Sequence, residues 1–259
     1  MTRLSILAAA MLGASCMLFF TANASAIDGE VLITQAKALA GNVTKGDAPG
    51  FPVTLSLPGS YKLASNLFPG PNENGIIAAA SDITIDLNGF VMSGGPAGGT
   101  KNSLNGIIDL GDRLTVRNGT IGAFQTAGIS AWNRAYLMIE NMRIINGGAG
   151  IKNTYGAFTS VQNSVIATNR FTGIECGTFC SIEDNVVSGN GNIGVLIMSG
   201  TVLGNTIMAN GSYGILGSNR AVDIVGVGNN TIGGNGNFQV SGNSMGFLHP
   251  NVCRPSSCL

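Results

Sequence analysis

The sequence predicts an all-β chain wound as a parallel β-helix, a solenoid of coils about 22 residues long with a short N-terminal capping helix. Three observations predict it. Gly followed by Ile or Val recurs at Gly75-Ile76, Gly106-Ile107, Gly128-Ile129, Gly150-Ile151, Gly173-Ile174, Gly194-Val195 and Gly214-Ile215, at steps of 31, 22, 22, 23, 21 and 20 residues. A period of this size marks a repeat fold. Between these pairs the apolar residues come in short alternating runs with no helical period, which disfavours helical and leucine-rich repeats. Asn recurs at matching places in each repeat, where tight turns need it.

Taken in order, the chain begins with a leader. Arg3 precedes an apolar run, Leu4 to Phe20, and Ala24-Ser25-Ala26 offers small residues for cleavage, so residues 1–26 read as a secretory signal peptide. The run of about 17 residues is marginal for a membrane span. Gly13 stands where lipidation at Cys16 would want a larger residue. Residues 31–43 read as an amphipathic helix with Ile33, Ala36, Ala40 and Val43 on one face. Val53 to Leu57 alternates like a strand, Pro58-Gly59 turns, and Tyr61-Lys62-Leu63 resumes. Residues 27–74 are therefore expected to cap the solenoid, because a stack of strands ends in an apolar layer with unpaired edges.

From 75 to 242 the coils repeat. One Asn column is read at Asn88, Asn118, Asn141, Asn163, Asn185, Asn205 and Asn230, with apolar positions before it (Ile85, Val116, Ile139, Ile182, Val202, Val227) and after it (Val91, Ile121, Ile144, Val165, Val187, Ile207, Ile232). A second is read at Asn146, Asn169, Asn190 and Asn210, extended by Asn102 and Asn235. Gly and Asn are expected to supply left-handed corners, and stacked Asn side chains to bond one another along the stack. Ser93 to Asn102 lengthens one coil by about nine residues and carries one charge, Lys101; it reads as a spacer, or as a binding loop. Residues 243–259 are expected to form the far cap.

The runs Val227 to Ile232 (Val-x-Asn-Asn-Thr-Ile) and Asn210 to Ile215 (Asn-Gly-x-x-Gly-Ile) resemble the right-handed parallel β-helix repeats of the pectate-lyase-like superfamily. Gly46 to Leu55, Pro58 to Tyr61 and Ile83 to Gly89 are similar to the N-terminal part of exported bacterial β-helix proteins of unassigned function. The resemblance covers roughly residues 33–245. It implies the fold and leaves activity open, since the superfamily hosts lyases, hydrolases, epimerases, adhesins and non-enzymes.

Composition narrows the partners. Charged residues make up 10% of the chain and the formal net charge is zero, so nucleic acid and acidic lipid are poor partners, and no apolar stretch after the leader is long enough to span a membrane. Cys176, Cys180, Cys253 and Cys258 follow the leader in two close pairs. An exported chain favours disulfides 176–180 and 253–258, with other connectivities and a four-cysteine zinc site as rivals.

The chemistry is sparse. Acids in the repeats are few, His249 is the only histidine, and no Asn-Thr-Asp, Asp-Asp or Gly-His-Gly element occurs. No catalytic residue, cofactor or metal is assigned; Ca²⁺ enters only under a lyase alternative. Register should place Lys152 beside Glu175 and Arg117 beside Glu140, as solvated ion pairs or as a small acid/base patch. Glu183-Asp184 is the only adjacent acidic pair in the repeats. Trp132, Tyr136, Tyr155, Phe158 and Phe179 fall in the same segment of three consecutive coils. They read either as filling a bend of the core or packing on the solenoid edge, or as rings open to a sugar. The expected function is binding of a polysaccharide or cell-envelope component without catalysis, with Trp132, Tyr136, Tyr155, Phe158, Lys152 and Glu175 as candidate contacts. A uronate-directed polysaccharide lyase or epimerase and a structural or adhesive solenoid are the alternatives, and oligomeric state is left open.

Overall fold

The computed structural model describes residues 29–95, 104–218, 220, 223–243, 245–254 and 258. Residues 1–26, read above as a signal peptide, and most of the insertion after Ser93 lie outside them. Each coil contributes three short strands, so the solenoid has three faces. The first and second faces belong to one sheet of 16 strands, because Leu114–Gly122 and Met138–Ile145 each run across both faces. The third face is a separate sheet of nine strands, from Val53–Leu55 to Val240–Ser241. All pairings are parallel and nearly all join consecutive coils.

The core is a set of columns. Ile129, Ile151 and Ile174 pair in register on the third face and are fully buried, as the repeat predicts. Val116, Ile139, Val161, Ile182, Val202 and Val227 form the first-face column, and Ile121, Ile144, Ile166, Val187, Ile207 and Ile232 the second. β-Branched residues suit these pleated surfaces, and burying each side chain contributes roughly 1.5–3 kcal/mol. In two coils the expected inward residue, Val91 or Val165, instead faces outward beside Thr120 or Arg143, and Met92 or Ile166 fills the core.

The Gly of each Gly-Ile pair is needed for space, not for a left-handed corner. None of the seven has a positive φ. A Cβ at Gly150 would run into the carbonyl oxygen of Gly173 and the Cγ2 of Ile166. The second face thus packs onto backbone, and only a bare Cα admits the next coil's carbonyl. Gly150→Ala is expected to destabilise the protein by about 1–3 kcal/mol through overpacking, read as a lower urea midpoint; an unchanged midpoint would refute this account of the column.

The single Asn column read after the first face is two columns one residue apart. Asn88, Asn118, Asn141, Asn163, Asp184 and Asn229 take the left-handed corner. The following position carries a buried ladder: Asn185, Asn205, Asn230 and Asn251, each Nδ2 donating to the next Oδ1 at 2.9–3.0 Å. The second column divides the same way. Asn146 is at the corner with Thr168 and Ala209, and the ladder runs Asn169, Asn190, Asn210, Asn235.

The ends also differ from expectation. The helix is only Gln35–Ala40, with the Thr34 side chain accepting from the Lys37 N–H at 3.0 Å. Val31–Ile33, read as its first turn, is a strand paired with Tyr61–Leu63. Apolar spacing over so few residues does not separate helix from strand, and the free edge at Tyr61 decides it. Val53–Leu55 and Gly59–Leu63 already pair with the strands of the next coil, so coil structure begins inside residues 27–74. At the far end Met245–Phe247 and Val252–Arg254 continue the pairing beyond 242.

Candidate functional site

The aromatic residues gather at the corner between the third and first faces. In successive coils one corner position is held by Asp82, Arg113, Tyr136, Phe158 and Phe179, all with φ between 55° and 61°. A left-handed conformation costs a bulky residue about 1–2 kcal/mol. It turns these side chains out of the core. Tyr136 stacks on Phe158 at 4.8 Å and 5°, and Phe158 on Phe179 at 5.0 Å and 13°. Contacts of this kind contribute roughly 0.5–1.5 kcal/mol each and offset part of the strain. Their exposures are 52%, 45% and 63%, so they fill no bend of the core. Above them Arg113 and Asp82 make an exposed ion pair, and the hydrogen bond from Arg113 holds the Asp82 carboxyl below its ordinary range.

Trp132 and Tyr155 form a second group toward the third face, edge to face at 4.9 Å. The Lys152 ammonium sits 5.4 Å over the Trp132 ring. Lys152 and Glu175 are register neighbours, as expected. They are not ion-paired: Glu175 instead accepts from the Thr154 hydroxyl at 2.8 Å. Likewise Arg117 stands beside Glu140 in register but pairs with Asp86 at 3.1 Å.

On the first face, immediately past the rings, two polar columns point outward. One carries Thr115, Ser160, Ser181 and Thr201, interrupted by the exposed Met138 between Thr115 and Ser160; the other carries Arg117, Glu140, Gln162 and Glu183 and ends at Leu203. The Ser181 hydroxyl donates to Glu183 Oε1. The corner therefore offers an apolar ridge beside a comb of hydroxyls, an amide and carboxylates. Sequence reading did not single out this comb, although positions one period apart would have shown it. Asp184 does not join it: it occupies the left-handed corner and is exposed.

Beneath the ridge lies Asp109, 2% exposed. Burial pushes its carboxyl up to about 7; the Asp112 charge adds to this, while the Gly111 N–H and the Arg134 charge oppose it. Asp109 Oδ2 and Arg134 Nε are buried without a hydrogen-bond partner. A carboxyl so enclosed cannot reach a ligand on the surface. Among the described residues no three His, Cys, Asp or Glu side chains gather as a metal site. Two open clefts, about 410 and 360 Å³, lie at the two ends of the solenoid, one around His249 and the other around Tyr61.

No protein-family model and no curated protein matches the sequence. Solved structures do match. The periplasmic alginate epimerase AlgG aligns over 86% of this chain and 67% of its own, at 14% identity and a TM-score of 0.53. The shared fold is the right-handed parallel β-helix. A point variant of AlgG gives a TM-score of 0.49 at 15% identity, covering 74% of this chain and 49% of that one. The A-module of the Azotobacter vinelandii mannuronan C-5 epimerase AlgE6 gives 0.44 at 15% identity, over 82% and 68%. The β-helix thus spans between about half and two thirds of these relatives' lengths.

Two disulfides close as the spacing favours, Cys176–Cys180 and Cys253–Cys258. The first closes the short turn through Gly177 and Thr178 that carries Phe179. Among the described residues no helix is long and apolar enough to cross a membrane.

Proposed function

We propose that this β-helix binds a neutral glycan along the corner between its third and first faces and does not turn it over. The observation that carries the reading is the ridge of Tyr136, Phe158 and Phe179 standing open beside the hydroxyl and carboxylate columns. Sugars present apolar C–H faces that pack on rings at small entropy cost, and hydroxyls that a row of Ser, Thr, Gln and Glu can pair. Glu140 and Glu183 on this comb disfavour an acidic chain. The two disulfides suit an oxidising compartment, so we place the protein outside the cytoplasm.

A second reading, epimerisation or elimination on uronate chains with Lys152 as base, is suggested by the names of the structural neighbours. Lys152 lies on the far side of the ridge with Glu175 as its acidic register neighbour. A glycan array combined with an assay for uronate elimination and epimerisation on the protein separates the two. Binding of neutral glycans without turnover, lost in a Tyr136→Ala/Phe158→Ala double variant, is the expected result. Turnover of a uronate chain that Lys152→Ala abolishes would overturn it.

A further inference from the structure

The ridge ends abruptly, and its end has a shape. The path around the corner takes eight residue steps from Ser130 to Met138 and eight from Lys152 to Ser160. It then takes six from Glu175 to Ser181 and five from Leu196 to Thr201, before lengthening to ten between Leu216 and Gly226. The corner therefore recedes over two coils, leaving a notch beside the longer coils that carry Tyr136 and Phe158. Phe179 stands at the edge of this notch. One face of its ring lies on Phe158. At the matching position the next coil carries Ser199, flanked by Met198 and Gly200, and its Oγ accepts from the Phe179 N–H at 3.2 Å. The coil after that places Ile224, 72% exposed, in register with Ser199. Two coil spacings, about 9.6 Å of backbone, thus separate Phe179 from Ile224, with Ser199 at the matching position between them.

We infer that this level is a subsite for one pyranose ring, which continues the aromatic stack in place of a missing side chain. The inference rests on the glycan-binding reading above and sharpens it. Phe158 spends both ring faces, Tyr136 spends one on Phe158 and has Arg113 at the corner position on its other side, and Phe179 keeps one face free. The ridge therefore holds one sugar face-on and meets the rest of the glycan with ring edges. The sugar's C–H face packs on Phe179, and its hydroxyls turn toward Ser181, Glu183 and Thr201 on the first face. Recognition is then of a single residue, with little gained from chain length.

The test measures binding of methyl glycosides of glucose, galactose and N-acetylglucosamine, and of the matching tetrasaccharides, to the full chain by saturation-transfer NMR and calorimetry. At least one pair is expected to bind, with the tetrasaccharide no more than roughly tenfold tighter than its methyl glycoside. Phe179→Leu, which removes the ring face and keeps apolar bulk, is expected to weaken binding by roughly tenfold or more. Ser199→Tyr, which supplies the missing ring, should do the same, while Phe171→Ala at another corner should leave affinity unchanged. A glycan that binds with equal affinity to Phe179→Leu and Ser199→Tyr, each shown folded by its thermal melt, would overturn the subsite and leave glycan binding standing. Failure of the unaltered protein to bind any member of the panel would overturn both.

Discussion

Asp109→Asn is expected to raise stability most at pH 8 and progressively less toward pH 4. The folded protein holds the Asp109 proton up to about pH 7, against the usual 3.8. Below pH 4 both folded and unfolded chains carry that proton, and the group is neutral with respect to folding. Between pH 4 and 7 unfolding releases it, so stability falls as pH rises through this window. Above pH 7 both states are ionised and the loss is complete. A difference of about three pH units at about 1.4 kcal/mol each amounts to roughly 4 kcal/mol, and relaxation around the charge makes 2–4 a fairer range.

The physical reason is visible around the residue. Asp109 is 2% exposed, its Oδ2 has no partner, and Arg134 Nε nearby is also unpaired. The Gly111 N–H, at 3.1 Å, and more weakly the Arg134 charge serve the charged form, and Asp112 repels it. Asn keeps an acceptor for Gly111 and carries no charge. Urea unfolding from pH 4.5 to 8 should show the gap between variant and parent widening by about 2–4 kcal/mol. Parallel pH profiles would show that Asp109 is not the buried acid described.

How far the sequence disclosed this molecule depends on what each position has to satisfy. The Ile129, Ile151 and Ile174 column was legible because a stacked coil cannot shift register without exposing its whole apolar set. The Asn residues were harder. A corner Asn such as Asn163 and a ladder Asn such as Asn185 sit one register position apart, and coils of unequal length blur that single step. Only the burial of one and the positive φ of the other tell them apart. The direction of Tyr136, Phe158 and Phe179 was illegible for a related reason. Strand alternation fixes inside and outside, but a left-handed residue between two strands escapes that rule. Neighbourhood was readable for Lys152 and Glu175, and for Arg117 and Glu140, because coil register sets it. Pairing was not, since an outward side chain chooses among the neighbours above, below and beside it. Lys152 takes Trp132, Arg117 takes Asp86, and Glu175 takes Thr154.

Asn205→Ala is expected to be among the most damaging single substitutions in the chain, costing about 3–5 kcal/mol. Asn205 is 1% exposed and all its polar atoms are engaged. Its Oδ1 accepts from the Asn185 N–H and Nδ2 at 2.9 and 3.0 Å. Its Nδ2 donates to the Ile182 and Leu203 carbonyls and to Asn230 Oδ1 at 2.8–3.0 Å. Truncation removes one side chain and strands groups on three coils. The Asn185 N–H loses its acceptor and the Ile182 carbonyl loses a donor, both where water cannot replace them. Each buried orphan costs roughly 1–3 kcal/mol, and bonds in a chain polarise one another, so the ladder weakens beyond the site of change. Asn163→Gly, at an exposed corner whose φ of 49° glycine accepts without strain, should cost less than about 1 kcal/mol. Because coils touch only their neighbours, the damage should also be local. Amide exchange should quicken most at Val187 and Ile207, beside the break, and least at Val116 several coils away. Equal urea midpoints for the two variants, or exchange that quickens evenly along the solenoid, would mean that the ladder is a consequence of coil stacking and not one of its causes.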